Sequence, residues 1–310
     1  MYSLLLLIFV LIGLLIFGLT LMKIGFRTMT ERQLSILKEK LSKRNGLIFG
    51  FLMTILLQSS SVSIAMLMTF IRRGDRAVPF ILCYLIGANI GTTLTTQLFV
   101  WNNTFLMISC LILGTTLILL PFKHYGCFSI GTIMLGLGTI FAALYGFENL
   151  THTLTLSKVD HWLSSPQTSN VELLLTGFAT TAVLQSSTTF TALLIGLSQD
   201  GAFVINHIFY LIVGANLGTC ITVIILSIGQ SRLAKMTAYS HVMINMLGMI
   251  IALIPQFKTS IIYIVTWAID SVNQQIVALA FMYNVALGLI ILIGLKPFSR
   301  VMTFIYERKV

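Results

Sequence analysis

The 310-residue chain carries a net charge of +10, yet only 9% of its residues are charged and 57% are hydrophobic. Several uncharged apolar stretches reach about 20 residues, enough for a helix to cross ~30 Å of hydrocarbon, which excludes a soluble globular domain. In a soluble protein the basic excess would point to nucleic acid; here it is assigned to cytoplasmic loops, and no nucleic-acid partner is expected.

The first apolar segment, 3–22, has no charge before Lys23 and no A-x-A-like cleavage site, so it reads as a retained span and not as a signal peptide. Residues 23–45 are basic, and Leu34, Leu37 and Leu41 recur at helical spacing, which predicts a helix on the inner membrane surface. Further apolar segments follow at 46–71, 79–101, 104–121, 127–147, 173–198, 204–228, 236–254 and 276–295. A shorter stretch at 258–272, broken by Asp270, reads as interfacial.

Charge settles how two of these segments sit. Segment 46–71 is basic on both sides, with the 23–45 cluster before it and Arg72, Arg73 and Arg76 after it. The positive-inside rule places both flanks in the cytoplasm, so this segment is expected to be a re-entrant hairpin. Segment 173–198 lies between Glu172 and Asp200 and is expected to enter from outside. Seven spans remain, with the N-terminus outside and the C-terminus inside a cytoplasmic membrane. This arrangement puts 17 of the 19 Lys and Arg residues inside, which is the asymmetry a coherent topology requires. Trp101, Trp162 and Trp267 fall at outer boundaries, where interfacial aromatics belong. Cys83, Cys110, Cys127 and Cys220 lack metal-ligand spacing and read as packing residues.

The chain repeats itself at an offset of 127 residues. Gly50 and Gly177, Gln58 and Gln185, Gly74 and Gly201, and GANIGTT (87–93) and GANLGTC (214–220) correspond without a gap. Of the 46 positions from 50 to 95, 17 match, and the matches include a polar set that chance similarity of apolar segments does not produce. Each copy reads as span, hairpin, interrupted span and span. Three crossings per copy invert the second relative to the first. The fold expected is thus an all-α integral membrane protein built as an inverted-repeat secondary transporter, with two re-entrant helical hairpins and interrupted spans. Its parts are a first repeat at 1–125, an inverted second repeat at 126–255, and an interfacial segment with a C-terminal span at 256–310.

Polar groups at membrane depth are tolerated only where protein or a water-filled cavity receives them. About a dozen helical residues precede each Gln, roughly 18 Å of rise, which puts the tips near the midplane of the bilayer. There the following half-helix presents free N–H groups and partial positive charge, with Ser or Thr suited to the cap. Gln58, Ser59, Ser60, Ser61, Gln185, Ser186, Ser187 and Thr188 are therefore the candidate anion receptor. The glycines of the GAN-x-GT elements are expected to let the spans unwind. Asn89, Thr92, Thr93, Thr95, Asn216, Thr219 and Thr222 would then offer oxygens to a hard monovalent cation. Cys220, standing where the first copy has Thr93, makes the two copies unequal as cation sites. No Asp, Glu, Lys or Arg falls within a predicted membrane segment, which argues against a carboxylate proton relay and against a buried arginine for the anion. Sodium coupling is the physical expectation. His241 and Asn245 share a helix face and are read as bundle-interior partners; His124, His152 and His161 are read as loop residues.

On the duplicated Q-S-S-[ST] and G-A-N-x-G-T motifs, the chain resembles the type II sodium–phosphate cotransporter family over nearly its whole length. The form it resembles lacks the cytoplasmic PhoU-like helical domain of many bacterial relatives. The family's A-x-x-H-x-x-F-N pattern appears at Ala238, His241, Ile244 and Asn245, with Ile in place of Phe. The resemblance implies a transporter and not an enzyme, with inorganic phosphate as substrate and Na⁺ as coupling ion. It also implies a central site at the two Q-S-S tips, and an elevator-like movement of the hairpin-bearing core. Transport of another small anion, net export, homo-oligomerisation and a non-transporting sensor are the readings left open.

Overall fold

A computed structural model describes residues 2–30, 43–71, 77–101, 104–119, 125–153, 165, 168–198 and 204–307. Among these residues no strand occurs. The helices are α1 (Tyr2–Thr30), α2 (Lys43–Leu57), α3 (Ser60–Phe70), α4 (Ala77–Thr96), α5 (Thr104–Leu119) and α6 (Tyr125–Thr153). They continue with α7 (Asn170–Leu184), α8 (Ser187–Leu197), α9 (Ile205–Ser227), α10 (Arg232–Ala252), α11 (Pro255–Ala268), α12 (Val272–Ile293) and α13 (Leu295–Glu307). A 3-10 turn, Gln97–Trp101, extends α4.

Five stretches are long and apolar enough to cross a membrane: Leu6–Phe26, Ala77–Trp101, Gly126–Phe147, Ile205–Ser227 and Val272–Ile293. Two bent pairs raise the number to as many as seven, α7 with α8 (118°) and α10 with α11 (87°). Large apolar side chains such as Phe105 (79% exposed) and Ile293 (87%) face outward, which lipid tolerates and water does not. The protein is a multi-pass membrane protein.

Two expectations change. The first helix runs on through Lys23 to Thr30 instead of ending near residue 22, and α2 starts at Lys43, so both ends of the surface helix expected at 23–45 belong to other helices, while residues 31–42 lie outside the described residues. Trp162 lies outside them too. The GAN-x-GT spans are not interrupted: α4 is helical across Gly87–Thr93 and α9 across Gly214–Cys220. Finally, α13 is a separate amphipathic helix, with Leu295 and Met302 buried and Val301, Phe304 and Ile305 exposed.

The glycines of the unbroken helices serve close approach. A Cβ on Gly87 would overlap the carbonyl of Leu47, and one on Gly50 that of Tyr84; in the second half Gly214 meets Leu174 and Gly177 meets Leu211 in the same way. Gly91 would meet Phe51 O at 2.7 Å and Thr54 Cβ at 3.1 Å, and Gly218 would meet Phe178 O at 2.5 Å and Thr181 Cβ at 2.9 Å. Every one of these partners is displaced by 127 residues. The α2–α4 and α7–α9 pairs are thus one interface built twice, with backbones so close that side chains other than hydrogen do not fit at the crossing.

The two copies meet through their second arms. Helix α3 packs on both α4 and α9, and α8 packs on both α9 and α4. Helices α10 and α12 close around this core, with α10 against α4 and α9 and α12 against the same two helices.

Candidate functional site

Each Q-S-S motif interrupts a helix in the same conformation. Gln58 has φ 51° and Gln185 φ 54°, the two non-glycine residues in the left-handed region among the described residues. That region costs an L-residue of this kind about 1–2 kcal/mol, so its recurrence at both tips marks a backbone held by its surroundings. The next residue is extended in both, with Ser59 at φ −165°, ψ 118° and Ser186 at φ −157°, ψ 114°. Each caps the helix that follows. Ser59 Oγ accepts from Val62 N at 3.4 Å, and Ser186 Oγ accepts from Thr189 N at 3.2 Å. The expected serine cap is present in both copies.

Around these caps the first turns of α3 and α8 are buried: Ser60 (6% exposed), Ser61 (4%), Ser187 (8%) and Thr188 (2%). The two glutamines differ. Gln185 is exposed, whereas Gln58 is buried, donating from Nε2 to Ile55 O at 2.9 Å and leaving Oε1 without a partner. Gln58 was expected to give its NH₂ to an anion. Here that group is spent on its own helix and the free atom is an acceptor.

The oxygens expected to serve a cation lie on unwound backbone no longer, and their hydroxyl protons are turned inward. Thr92 donates to Ala88 O (2.9 Å), Thr93 to Ile90 O (2.8 Å), Thr95 to Thr92 O (2.7 Å) and Thr219 to Asn216 O (2.7 Å). What these side chains still present is lone pairs. Thr222 Oγ1 is buried without a partner.

The asparagines bond across helices. Asn89 Nδ2 donates to Asn245 Oδ1 (3.3 Å), and Asn89 Oδ1 lies 3.3 Å from His241 Nε2. Asn216 Nδ2 donates to Asn284 Oδ1, also at 3.3 Å. Asn245 Nδ2 completes its set at His241 O (3.0 Å) and Cys220 Sγ (3.4 Å). Cys220 therefore takes part in the polar network and is more than filling. His241 and Asn245 do reach each other within the bundle, as their spacing suggested. Asn284 went unnoticed in the sequence, although one amide inside the apolar segment 276–295 was signal enough.

A motif set duplicated in both sequence and local geometry is open to comparison with known proteins. The Na⁺/Pi-cotransporter family profile matches residues 14–149 and again 144–295. The chain belongs to the Na⁺/Pi-cotransporter family. The profile thus matches the chain twice, once in each half. Among relatives, the Bacillus subtilis (strain 168) protein YqeW is 31% identical over 267 residues, covering 84% of each chain. No solved structure matches the chain.

Proposed function

We propose that this family member couples the movement of inorganic phosphate to that of sodium across the cytoplasmic membrane, by alternating access. The single observation that carries the reading is the twofold tip: an αL glutamine, an extended serine cap and a short half-helix, repeated at an offset of 127 residues. A phosphate oxyanion matches the donors such a tip offers, namely the first N–H groups of α3 and α8, which have no intrahelical partner, and the hydroxyls of Ser59, Ser60, Ser61, Ser186, Ser187 and Thr188. Gln185 adds an exposed amide.

The turn of 118° between α7 and α8 supports the second hairpin as re-entrant, and the matching tip of α2 and α3 supports the first. Opposite charge at their flanks supports entry from opposite faces, with the N-terminus outside and the C-terminus inside. The repeats then take the bounds 1–125 and 126–255, followed by 256–310, the second inverted relative to the first. For sodium, the side-chain oxygens of Asn89, Thr92, Thr93 and Thr95, and of Asn216, Thr219 and Thr222, are the candidate ligands. They act without the unwound carbonyls that the sequence first suggested, since α4 and α9 are continuous there.

The test is phosphate uptake by the purified chain in proteoliposomes under an imposed Na⁺ gradient. Wild type is expected to accumulate phosphate with Na⁺ outside and not with K⁺. Gln58→Ala and Gln185→Ala are expected to abolish uptake while retaining assembly. Undiminished uptake in both variants, or uptake indifferent to Na⁺, overturns the proposal.

A further inference from the structure

The last two helices follow one another with a single residue between them: α12 ends at Ile293, Gly294 caps it, and α13 starts at Leu295. The 22 residues of α12 rise about 33 Å, enough to cross ~30 Å of hydrocarbon, so α13 begins at the level of the lipid headgroups. It stays against the protein there. Helix α13 packs on α4, α10 and α12, with Leu295 and Met302 in the main hydrophobic core and Phe298 against it.

The helical period gives α13 three faces. Leu295, Ser299 and Met302 share the first, toward the core. Pro297, Val301, Phe304 and Ile305 share the second, and all four are exposed, Phe304 at 55%. The third carries Lys296, Arg300 and Thr303. Thr303 donates its hydroxyl to Ser299 O (2.9 Å), whereas the two bases are exposed. Among the described residues no hydrogen bond or ion pair engages either base, and the one acid of the helix, Glu307, is its last residue.

The second face continues a surface that lipid already covers, since Leu289, Ile290 and Ile293 of α12 are exposed just before it. The bases stand where this apolar face meets the polar one. Lys296, Arg300 and Phe304 follow each other at intervals of four, so the long basic stems lie along apolar surface and their heads reach the headgroup layer. Two free cations about 6 Å apart along the helix axis suit a headgroup phosphate. A zwitterionic lipid brings its own ammonium, which the bases repel; a lipid of net negative charge does not. Helix α11 makes the contrast. It exposes Tyr263, Ile264 and Trp267, and its one base, Lys258, lies over the Tyr210 ring, 5.3 Å from the centroid, so it offers an aromatic anchor without a free cation.

We propose that α13 is a binding site for an anionic phospholipid. Val301, Phe304 and Ile305 lie at the boundary of the acyl chains, and Lys296 and Arg300 hold the headgroup phosphate. Because Leu295 and Met302 fix α13 to the core beside α4 and α10, lipid bound here stabilises the folded core by mass action. The site stands apart from the Q-S-S tips and does not depend on the transport reading.

The experiment is thermal unfolding of the purified full chain in detergent, titrated with dioctanoyl phosphatidylglycerol, dioctanoyl phosphatidylcholine or inorganic phosphate. Phosphatidylglycerol is expected to raise the midpoint temperature saturably, and phosphatidylcholine is not. Lys296→Gln combined with Arg300→Gln is expected to raise the half-saturating phosphatidylglycerol concentration about thirtyfold, and each single change about fivefold, while Lys296→Arg leaves it unchanged. Should the double variant not fold, the single ones decide. Equal responses of the wild type to the two lipids overturn the proposal, as does unchanged half-saturation in the folded variants. So does a thermal response to inorganic phosphate that the same variants lose, since the bases then serve the free anion. A second copy is the other occupant the apolar face could take, and a dimer in light scattering that Phe304→Ser disperses also overturns the lipid site. A chain that binds phosphatidylglycerol in this way but moves no phosphate counts against the functional reading alone.

Discussion

Asn89 and Asn245, 156 residues apart, are joined by an amide hydrogen bond of 3.3 Å. It ties the first GAN-x-GT helix to α10, and Asn245 extends the link to Cys220 in the second GAN-x-GT helix at 3.4 Å. The two repeats are thus connected at their centre by neutral side chains. Removing one partner leaves a buried amide unsatisfied, at about 1–3 kcal/mol. Asn245→Leu is therefore expected to lower thermal stability clearly. Asn89→Leu with Asn245→Leu should cost less than the sum of the single changes, because contacting partners couple. Unfolding of the four proteins in one detergent checks it; strict additivity would show that the bond carries no energy.

Backbone contact sets the second expectation. Alanine at Gly87 or Gly214 drives a methyl into the carbonyl of Leu47 or Leu174, so both variants should lose about 1–3 kcal/mol or more. Gly13, with nothing within 4 Å of an added Cβ, is the control and should accept alanine with no loss. Size-exclusion profiles after heating rank the three. Equal behaviour of Gly13→Ala and Gly87→Ala would refute the close crossing.

The left-handed tips give the third. Gln185→Val places a β-branched residue at φ 54° and should destabilise by about 1–2 kcal/mol, whereas Gln185→Gly relieves the backbone and should not. Both should abolish Na⁺-driven phosphate uptake, since each removes the side-chain amide. Thermal stability and uptake measured on the same preparations separate strain from chemistry. A Gly variant that transports normally would assign the residue a backbone role only.

Much of this was legible in the residues. The offset of 127 located both tips, both caps and both GAN-x-GT helices, because polar residues in an apolar run cannot be placed carelessly. The role of the glycines was misjudged. Gly87 and Gly91 break a helix and admit a neighbouring helix equally well on sequence grounds, and only the position of Leu47 and Phe51 decides between them. The direction of the Gln58 amide was illegible for a similar reason: it depends on the carbonyl of Ile55, which the left-handed turn brings within 2.9 Å. Asn284 escaped because its partner, Asn216, lies on another helix, outside any local pattern.

The account depends most on two tips that enter from opposite faces of the bilayer. Single cysteines at positions 73 and 200, in a chain whose four native cysteines are replaced, measure this directly with a membrane-impermeant thiol reagent on sealed vesicles of known orientation. Arg73→Cys should react from the cytoplasmic side alone and Asp200→Cys from the outer side alone. Reaction of both from one side would contradict the account.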